Sequence, residues 1–486
     1  MPPSFLFYDL ETFGTDPRRS RIAQFAAIRT DAQLDPIGEP VDLLVRPADD
    51  LLPAPVATLI TGITPQHALR AGLNEAEAFA RIFEEMARPD TCTLGYNSLR
   101  FDDEFVRHGL FRNFHDPYER EWRGGNCRWD LLDVLRLAHA LRPDGIQWPQ
   151  REDGGGTSFR LEHLAVANHV REGDAHEALS DVRALIGLAR RLKAAQPKLW
   201  DYALALRDKR SVARLLDPVA MAPLLHVSQR YPASRLCAAP VLPLARHPRI
   251  DSRVIVLDLD SEPDALLDLD PRDIAARLYT PTADLPEGVA RVPLKEVHLN
   301  RCPAVVAWEH LREADFARLG IDAALVQRRV ERLRAAGPAL AEKVRRVFAD
   351  DRAREPADAD ASLYDGFVSD GDKRRCAAVR ATPPHLLAAR DFGFQDPRLV
   401  ELLFRYRARN WPDLLAPGER ARWDEYRRLR LGSGDGLSGT PLSEHGFGTF
   451  HAEIAALRLV HAADGGKLAL LDQLEAWGRD IEGSLA

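Results

Sequence analysis

The stretch SFLFYDLE at residues 4–11 is a short apolar and aromatic run that ends in two acidic residues. Such a run is typical of a buried β-strand. Side chains two residues apart on a strand point to the same face, so Asp9 and Glu11 are expected to lie side by side. Their mutual repulsion is costly unless a cation lies between them. Hard oxygen ligands favour Mg²⁺ or Mn²⁺, so this strand end is a candidate metal site.

Three further strand patterns, two before and one after a helical stretch, predict the rest of a sheet. RIAQFAAIRTD at 21–31 and PVDLLVRPA at 40–48 are strand patterns separated by a turn-rich connection, which favours antiparallel pairing. Helical periodicity follows at 74–87, and TCTLGYNS at 91–98 predicts a strand that runs into a loop. Strands first and alternation with helices later predict an α/β layer with one mixed sheet. The helices expected after this point are DDEFVRHGLF, WDLLDVLRLAHAL, FRLEHLAVANH and HEALSDVRALIGLARRLKAA.

Three more polar residues follow at positions that suit the same site. Asp102 ends the segment NSLRFD and opens a predicted helix, whereas His176 and Asp181 are five residues apart near the start of a long helix. Five helical residues turn roughly 500°, so both side chains can face one site only if His176 precedes the helix or lies in its first turn. Asp174 is a suitable N-cap for such a start.

The order Asp9-x-Glu11, Asp102, His176-x-x-x-x-Asp181 resembles the pattern of the DEDDh exonucleases, which fold like ribonuclease H. The resemblance implies that all five residues are catalytic and that the four carboxylates bind two Mg²⁺ ions, for which Mn²⁺ can substitute. Two divalent ions about 3.5–4 Å apart can stabilise both the attacking and the leaving oxygen of a phosphodiester. The resemblance also implies that His176 is the general base and that Glu11 contacts the substrate.

The resemblance to one branch, the bacterial exonuclease I family, extends over nearly the whole chain. It implies processive 3′→5′ hydrolysis of single-stranded DNA to 5′-mononucleotides, with a role in DNA repair and recombination. The segments that carry it are FYDLETFGTDP, AQFAAIRTD, LITGITPQ, GYNSLRFDDEF, RNFHDPYEREW, RWDLLDVLRLAHALRPDGIQWP, SFRLEHLAVAN, LLHVSQ, RLYTPTADL, NRCPAV, LYDGFVSD and LLFRYRARNWP.

The family resemblance implies three domains: a ribonuclease H-like exonuclease domain, an SH3-like barrel domain and an all-helical C-terminal domain. We place them at residues 1–203, 204–352 and 362–486. The acidic stretch at 353–361 lacks apolar periodicity and is predicted to be a linker. The Gly/Ser-rich stretch at 432–448 departs most from the family and is predicted to be a loop.

The middle of the chain has its own local signals. SRVIVLDL at 252–259 and RVPLKEVHL at 291–299 predict strands, in a region that is rich in proline. The segment 324–350 predicts a helix broken at Gly337-Pro338.

Candidate DNA-groove residues are basic. Arg160 lies in the family-like motif SFRLEH and is expected to contact phosphate, although an ion-paired surface arginine would fit as well. Arg405, Arg407 and Arg409 alternate with aromatic residues in FRYRARNW, which suits phosphate contact with base stacking. The alternative is the end of an amphipathic helix that packs on a neighbour.

The resemblance also implies a protein partner, the acidic C-terminal tail of single-stranded-DNA-binding protein. Arg142, Tyr202, Arg312 and Arg334 occupy positions that match the family's tail-binding pocket, whereas one polar pocket position is Ala307 here. A basic rim beside an apolar pocket suits an acidic peptide that ends in phenylalanine.

Composition limits the alternatives. The chain has 486 residues, of which 45% are hydrophobic and 29% charged, so it can bury sizeable cores. Its net charge of −7 does not suit a simple DNA-coating protein, but carboxylates around metals are compatible with a nuclease. The five cysteines are scattered, which excludes a disulfide framework and a zinc ribbon. Neither a signal peptide nor a membrane span is predicted, and the unpaired cysteines suit a reducing cytoplasm. The family resemblance implies a monomer, because the family encloses DNA within one chain.

Two other functions are compatible with part of these features. A DEDDh exoribonuclease or oligonucleotide hydrolase would share the chemistry, but the long extension beyond residue 203 favours an enzyme that acts on long strands. A non-catalytic nucleic-acid clamp would be expected to lack at least one carboxylate or the histidine, and all are present. A zinc hydrolase is excluded because no HExxH motif occurs.

Overall fold

The apolar run at the start of the chain forms strand β1, Ser4–Thr12, in the computed structural model. Alternate side chains on one face, Leu6, Tyr8 and Leu10, are buried in an apolar cluster. Asp9 and Glu11 therefore occupy the other face, as the two-residue period of a strand requires.

A mixed sheet surrounds β1, as predicted. Strand β2 (Ile22–Thr30) pairs with it antiparallel and β4 (Thr91–Gly95) pairs with it parallel. Strand β3 (Val41–Leu44) pairs antiparallel with β2, and the strand order is β3-β2-β1-β4-β5. Strand β5 (Cys127–Asp130) was not predicted, because its residues precede a strongly apolar helical pattern without a break.

Helices form at the stretches predicted as helical up to residue 195, whereas the two short helices before residue 74 were not predicted. The helices are α1 (Pro55–Thr61), α2 (Pro65–Ala71), α3 (Glu75–Met86), α4 (Asp102–Arg112), α5 (Leu131–Leu141), α6 (Leu161–Ala167), α7 (Ala178–Ala195), α8 (Pro197–Ala205), α9 (Lys209–Leu215), α10 (Asp264–Asp268), α11 (Pro271–Tyr279), α12 (Glu313–Leu319), α13 (Ala323–Ala335), α14 (Pro338–Val347), α15 (Asp370–Ala381), α16 (Pro397–Asn410), α17 (Pro417–Leu431), α18 (Phe447–Val460) and α19 (Gly465–Gly483).

The structure describes residues 4–173, 177–349, 357–432 and 441–486. Within these ranges, no helix combines the length and apolar character that a membrane crossing requires. Contacts divide the chain into two units that interleave along the sequence. Unit 1 comprises Met1–Cys127, Arg171–Ala184 and Arg354–Ala486, and unit 2 comprises Arg128–Val170 and Leu185–Ala353.

Unit 2 contains a second five-stranded sheet, in which all neighbours are antiparallel. The runs predicted as strands form β8 (Arg253–Asp258) and β9 (Leu294–His298). The predicted helix break is also present, since Gly337 has φ 65°, which favours glycine, and separates α13 from α14. The remaining strands, in the order β10-β6-β7-β8-β9, are β6 (Leu224–Val227), β7 (Ala238–Arg246) and β10 (Ala304–Ala307).

The C-terminal part of unit 1 is helical, as predicted. Of the predicted linker, residues 353–356 lie outside the described part of the chain, whereas Ala359–Tyr364 is a 3₁₀-helix and Asp360 is buried. The predicted loop at 432–448 falls between α17 and α18, although α18 already begins at Phe447, and residues 433–440 also lie outside the described part.

Gly109 allows α3 and α4 to pack closely. A Cβ atom on Gly109 would lie 1.8 Å from Cζ of Phe79, a fully buried ring on α3. We expect Gly109→Ala to lower the free energy of unfolding by about 2 kcal/mol, because overpacking outweighs the gain in helix propensity. Gly448→Ala is the matched control, since nothing lies within 4 Å of its added Cβ. Thermal melting of both variants checks this, and equal melting temperatures would contradict it.

Candidate active site

Four carboxylates from three separate segments of the chain lie close together beside β1. Asp9 and Glu11 come from β1, Asp102 is the first residue of α4, and Asp181 lies in the first turn of α7. One oxygen from each of Asp9, Glu11 and Asp181 lies within 4.8 Å of the others. Asp102 is close enough to act electrostatically on both strand residues. We call these four residues the carboxylate cluster.

The carboxylate cluster is nearly shielded from solvent, and this perturbs its acidity. Burial raises the pKa of Glu11 to about 8, with further contributions from the charges of Asp181 and Asp102. Burial likewise raises the pKa of Asp9 well above its usual range, and the three other carboxylates add to the shift. Both shifts mean that burial and the neighbouring carboxylates disfavour the ionised forms of Asp9 and Glu11 in the absence of a cation. A divalent cation would supply positive charge that stabilises the ionised carboxylates. The donor set consists of hard oxygen atoms, which suit Mg²⁺, Mn²⁺ or a similar ion.

A buried polar network fixes the start of α4, and with it Asp102. The hydroxyl of Tyr8 on β1 donates to Oδ1 of Asp103 at 2.7 Å, and the same oxygen accepts from Arg120 at 2.5 Å. Arg120 and Asp103 are 0% and 1% exposed, so the ion pair is internal. The turn before α4 places Asn97 at φ 62°, a conformation that asparagine tolerates better than most residues. Sequence patterns did not identify Arg120, because its partner Asp103 lies 17 residues away and no spacing rule connects the two.

The start of α7 differs from the sequence-based interpretation. The helix begins at Ala178, and the carboxylate of Glu177 accepts the N–H of Ser180 at 3.0 Å. Glu177 therefore takes the capping position predicted for Asp174. Both Asp174 and His176 lie outside the described residues, so the role of His176 stays a prediction.

Asp181 has a basic neighbour that the sequence did not single out. Nη1 of Arg171 lies 2.5 Å from Oδ1 of Asp181, and the two side chains are 13% and 11% exposed. A lone arginine ten residues before an aspartate has no recognisable spacing, so only the structure reveals the pair.

Arg160 lies in unit 2, at the rim of a cavity of about 850 Å³. Its side chain is 72% exposed, and the carboxylate of Glu162 lies 3.5 Å from its Nη1. An exposed guanidinium with one distant ion-pair partner retains donors for an incoming phosphate. Arg136, His139 and His163 line the same cavity.

The surroundings of Arg405 and Arg409 on α16 contradict the predicted phosphate contact. Arg409 donates to Asp50 and Asp360, and Arg405 donates to Asp358 and Asp360, in nearly solvent-free surroundings. Their donors are satisfied by internal carboxylates, so they act in packing, as the alternative interpretation held.

Arg407 is the third basic residue of that pattern. It forms a two-pronged ion pair with Glu419, at 2.6 and 2.9 Å. The side chain of Arg407 is only 11% exposed, so this pairing too departs from the predicted phosphate contact.

Three of the four predicted partner-binding residues surround one cavity of about 630 Å³ in unit 2. Arg142, Tyr202 and Arg312 line it together with apolar side chains such as those of Leu137 and Leu141. The fourth, Arg334, does not line this cavity and instead donates to the carbonyl of Met221 at 2.8 Å.

Comparisons with known protein families cover the chain in three consecutive parts. The family described as "Exonuclease" matches residues 6–189. "Exonuclease I SH3-like domain" matches residues 207–350, and "Exonuclease I C-terminal domain" matches residues 357–481.

Individual relatives are similar over their whole length. Exodeoxyribonuclease I of Escherichia coli K12 is 45% identical over 479 residues, which is 98% of each chain. The structure of a moderately thermophilic exonuclease I from Methylocaldum szegediense superposes with a TM-score of 0.93 at 48% identity, covering 99% of both chains. The zinc-bound form of the E. coli exonuclease I complex with single-stranded DNA gives 0.91 at 43% identity, again covering 99% of both.

Proposed function

Because the chain belongs to the exonuclease I family, we propose that it hydrolyses single-stranded DNA from the 3′ end in a reaction that depends on divalent metal ions. The family and the three-part fold expected from the sequence are thereby confirmed. The observation that carries the activity is the carboxylate cluster, held in the part of the chain that matches the exonuclease family.

We assign the binding of two Mg²⁺ ions to the carboxylate cluster: Asp9, Glu11, Asp102 and Asp181. Bound divalent ions supply Lewis-acid stabilisation of the negative charge that develops on the phosphate oxygens. The support is the donor chemistry and the raised pKa of Asp9 and Glu11, whose ionised forms a bound cation would stabilise. The rigid β1 and the Tyr8–Asp103–Arg120 network keep the carboxylates in place, so little reorganisation accompanies the reaction.

Side chains of the protein carry out the proton transfer and bind the DNA strand. In our proposal His176 accepts the proton of the attacking water, because imidazole titrates near neutral pH. Glu11 also contacts the 3′-terminal nucleotide. Arg160 binds a phosphate of the strand, which its exposure supports. The products are 5′-mononucleotides, released processively by a monomer that acts in DNA repair and recombination.

The cavity around Arg142, Tyr202 and Arg312 suits an acidic peptide. We propose that it binds the C-terminal tail of single-stranded-DNA-binding protein. Its apolar wall would receive the terminal aromatic side chain, and its basic rim would attract the carboxylates. Arg142 and Arg312 share Asp315, at 2.7 and 3.1 Å, which orients both guanidinium groups.

Three 5′-labelled substrates test the activity: single-stranded DNA, blunt duplex DNA and single-stranded RNA, each with Mg²⁺ and with EDTA. We expect Mg²⁺-dependent shortening of single-stranded DNA from its 3′ end and little cutting of the duplex. Asp102→Ala should abolish cutting, and His176→Ala should slow it by about 10² to 10⁴-fold, the usual contribution of a general base.

The outcomes separate the alternatives. Faster cutting of RNA would move the protein to the exoribonuclease branch of the same chemistry. Binding of single-stranded DNA without cutting of any substrate would favour the non-catalytic clamp.

A further inference from the structure

The ion pair between Arg171 and Asp181 places a fixed positive charge inside a site made for cations. Oδ1 of Asp181 accepts from Nη1 of Arg171 at 2.5 Å. Asp181 also supplies one of the oxygens that lie within 4.8 Å of Asp9 and Glu11. The guanidinium therefore offsets the charge of one member of the carboxylate cluster.

The backbone holds Arg171 beside the first turn of α7. The hydroxyl of Ser180 donates to the carbonyl oxygen of Glu172, so the chain on either side of residues 174–176 is tied together. Gly173 has φ 82°, and a Cβ atom there would lie 3.0 Å from Oγ of Ser180. Residues 172 and 173 therefore lie against Ser180 in the first turn of α7, which brings Arg171 next to Asp181.

We propose that Arg171 is a resident counter-cation of the carboxylate cluster, with which divalent metal ions compete. The inference rests on the metal site assigned above. In the metal-free protein the guanidinium offsets the repulsion that Asp181 adds to the cluster. A divalent ion that binds there is repelled by this positive charge, and one oxygen of Asp181 already accepts a hydrogen bond from Arg171. Arg171 therefore stabilises the metal-free protein and lowers its affinity for metal.

Calorimetric titration with Mn²⁺ tests the proposal on the full chain. Arg171→Gln keeps a hydrogen-bond donor but removes the charge, so it should bind Mn²⁺ roughly tenfold more tightly, the coupling expected between a unit charge and a divalent ion at short range in a water-like dielectric. Its metal-free form should also melt at a lower temperature than the wild type. Arg171→Lys keeps the charge and should retain the affinity of the wild type.

Arg183→Gln is the matched control, because it removes the same charge from an exposed position on α7, the helix that carries Asp181. Its Mn²⁺ affinity should stay at the wild-type value. An unchanged or weaker affinity in Arg171→Gln, with its metal-loaded form still folded by circular dichroism, would overturn the role of Arg171. Failure of the wild type to bind Mn²⁺ would instead remove the metal site and with it the proposed function.

Discussion

Asp9→Asn is expected to lower the rate of 3′ hydrolysis by at least about a thousandfold, which corresponds to about 4 kcal/mol of transition-state stabilisation. Asp9 lies at the centre of the carboxylate cluster, where all three other members act on its pKa. Asparagine has the same shape but supplies no charge, so metal ions lose a ligand while β1 keeps its packing. Single-turnover cleavage of a labelled oligonucleotide at saturating Mg²⁺ measures the loss.

The same substitution should have the opposite effect on stability. Without metal, the ionised form of Asp9 is disfavoured by burial and by its acidic neighbours. The uncharged amide of the Asp9→Asn variant removes this repulsion, so the metal-free variant should melt at a higher temperature than the wild type, while Mn²⁺ should stabilise it less. Asp251→Asn, on an exposed residue, controls for the change in net charge. A variant that melts lower in EDTA and keeps its activity would contradict both expectations.

Local periodicity was sufficient to predict the elements that carry the cluster. The two-residue period of a strand put Asp9 and Glu11 on one face, and the polar run after β4 put Asp102 at a helix start; both features are present. The break at Gly337 was equally local, since glycine and proline act on the backbone of their immediate neighbours.

Features that depend on distant partners could not be predicted in this way. FRYRARNW presents alternating arginines in any environment, and only the fold brings Asp50 and Asp360 to Arg409. The acidic stretch before α15 has the composition of a linker, yet Asp360 is buried because those arginines surround it. Arg171 is a further case, since no spacing rule links an arginine to an aspartate ten residues later, and only the structure shows their ion pair.

Arg409→Ala should be the most destabilising of the substitutions considered, by about 3–5 kcal/mol, the usual cost of leaving a buried charge without its partner. Arg409 donates to Asp50 at 2.8 Å and to Asp360 at 2.6 Å, and the exposed fractions of the three side chains are 3%, 1% and 1%. Burial alone would raise the pKa of Asp360, but Arg409 and Arg405 outweigh it and hold that pKa well below its usual range. Removal of Arg409 leaves the buried carboxylates of Asp50 and Asp360 with too little positive charge beside them.

Arg407→Ala, on the same helix, separates this effect from the loss of an arginine as such. Its ion pair with Glu419 is partly exposed, at 11% and 30%, so the expected cost is at most about 1 kcal/mol. Thermal melting of Arg407→Ala, Arg409→Ala, Asp360→Ala and the double variant Arg409→Ala/Asp360→Ala completes the test. The double variant should lose less unfolding free energy than the sum of the losses in Arg409→Ala and Asp360→Ala, because each single change leaves the partner's charge buried without its counter-ion. Additive losses would mean that Arg409 and Asp360 contribute by packing alone, and that the ion pair adds nothing to the stability of the C-terminal helices.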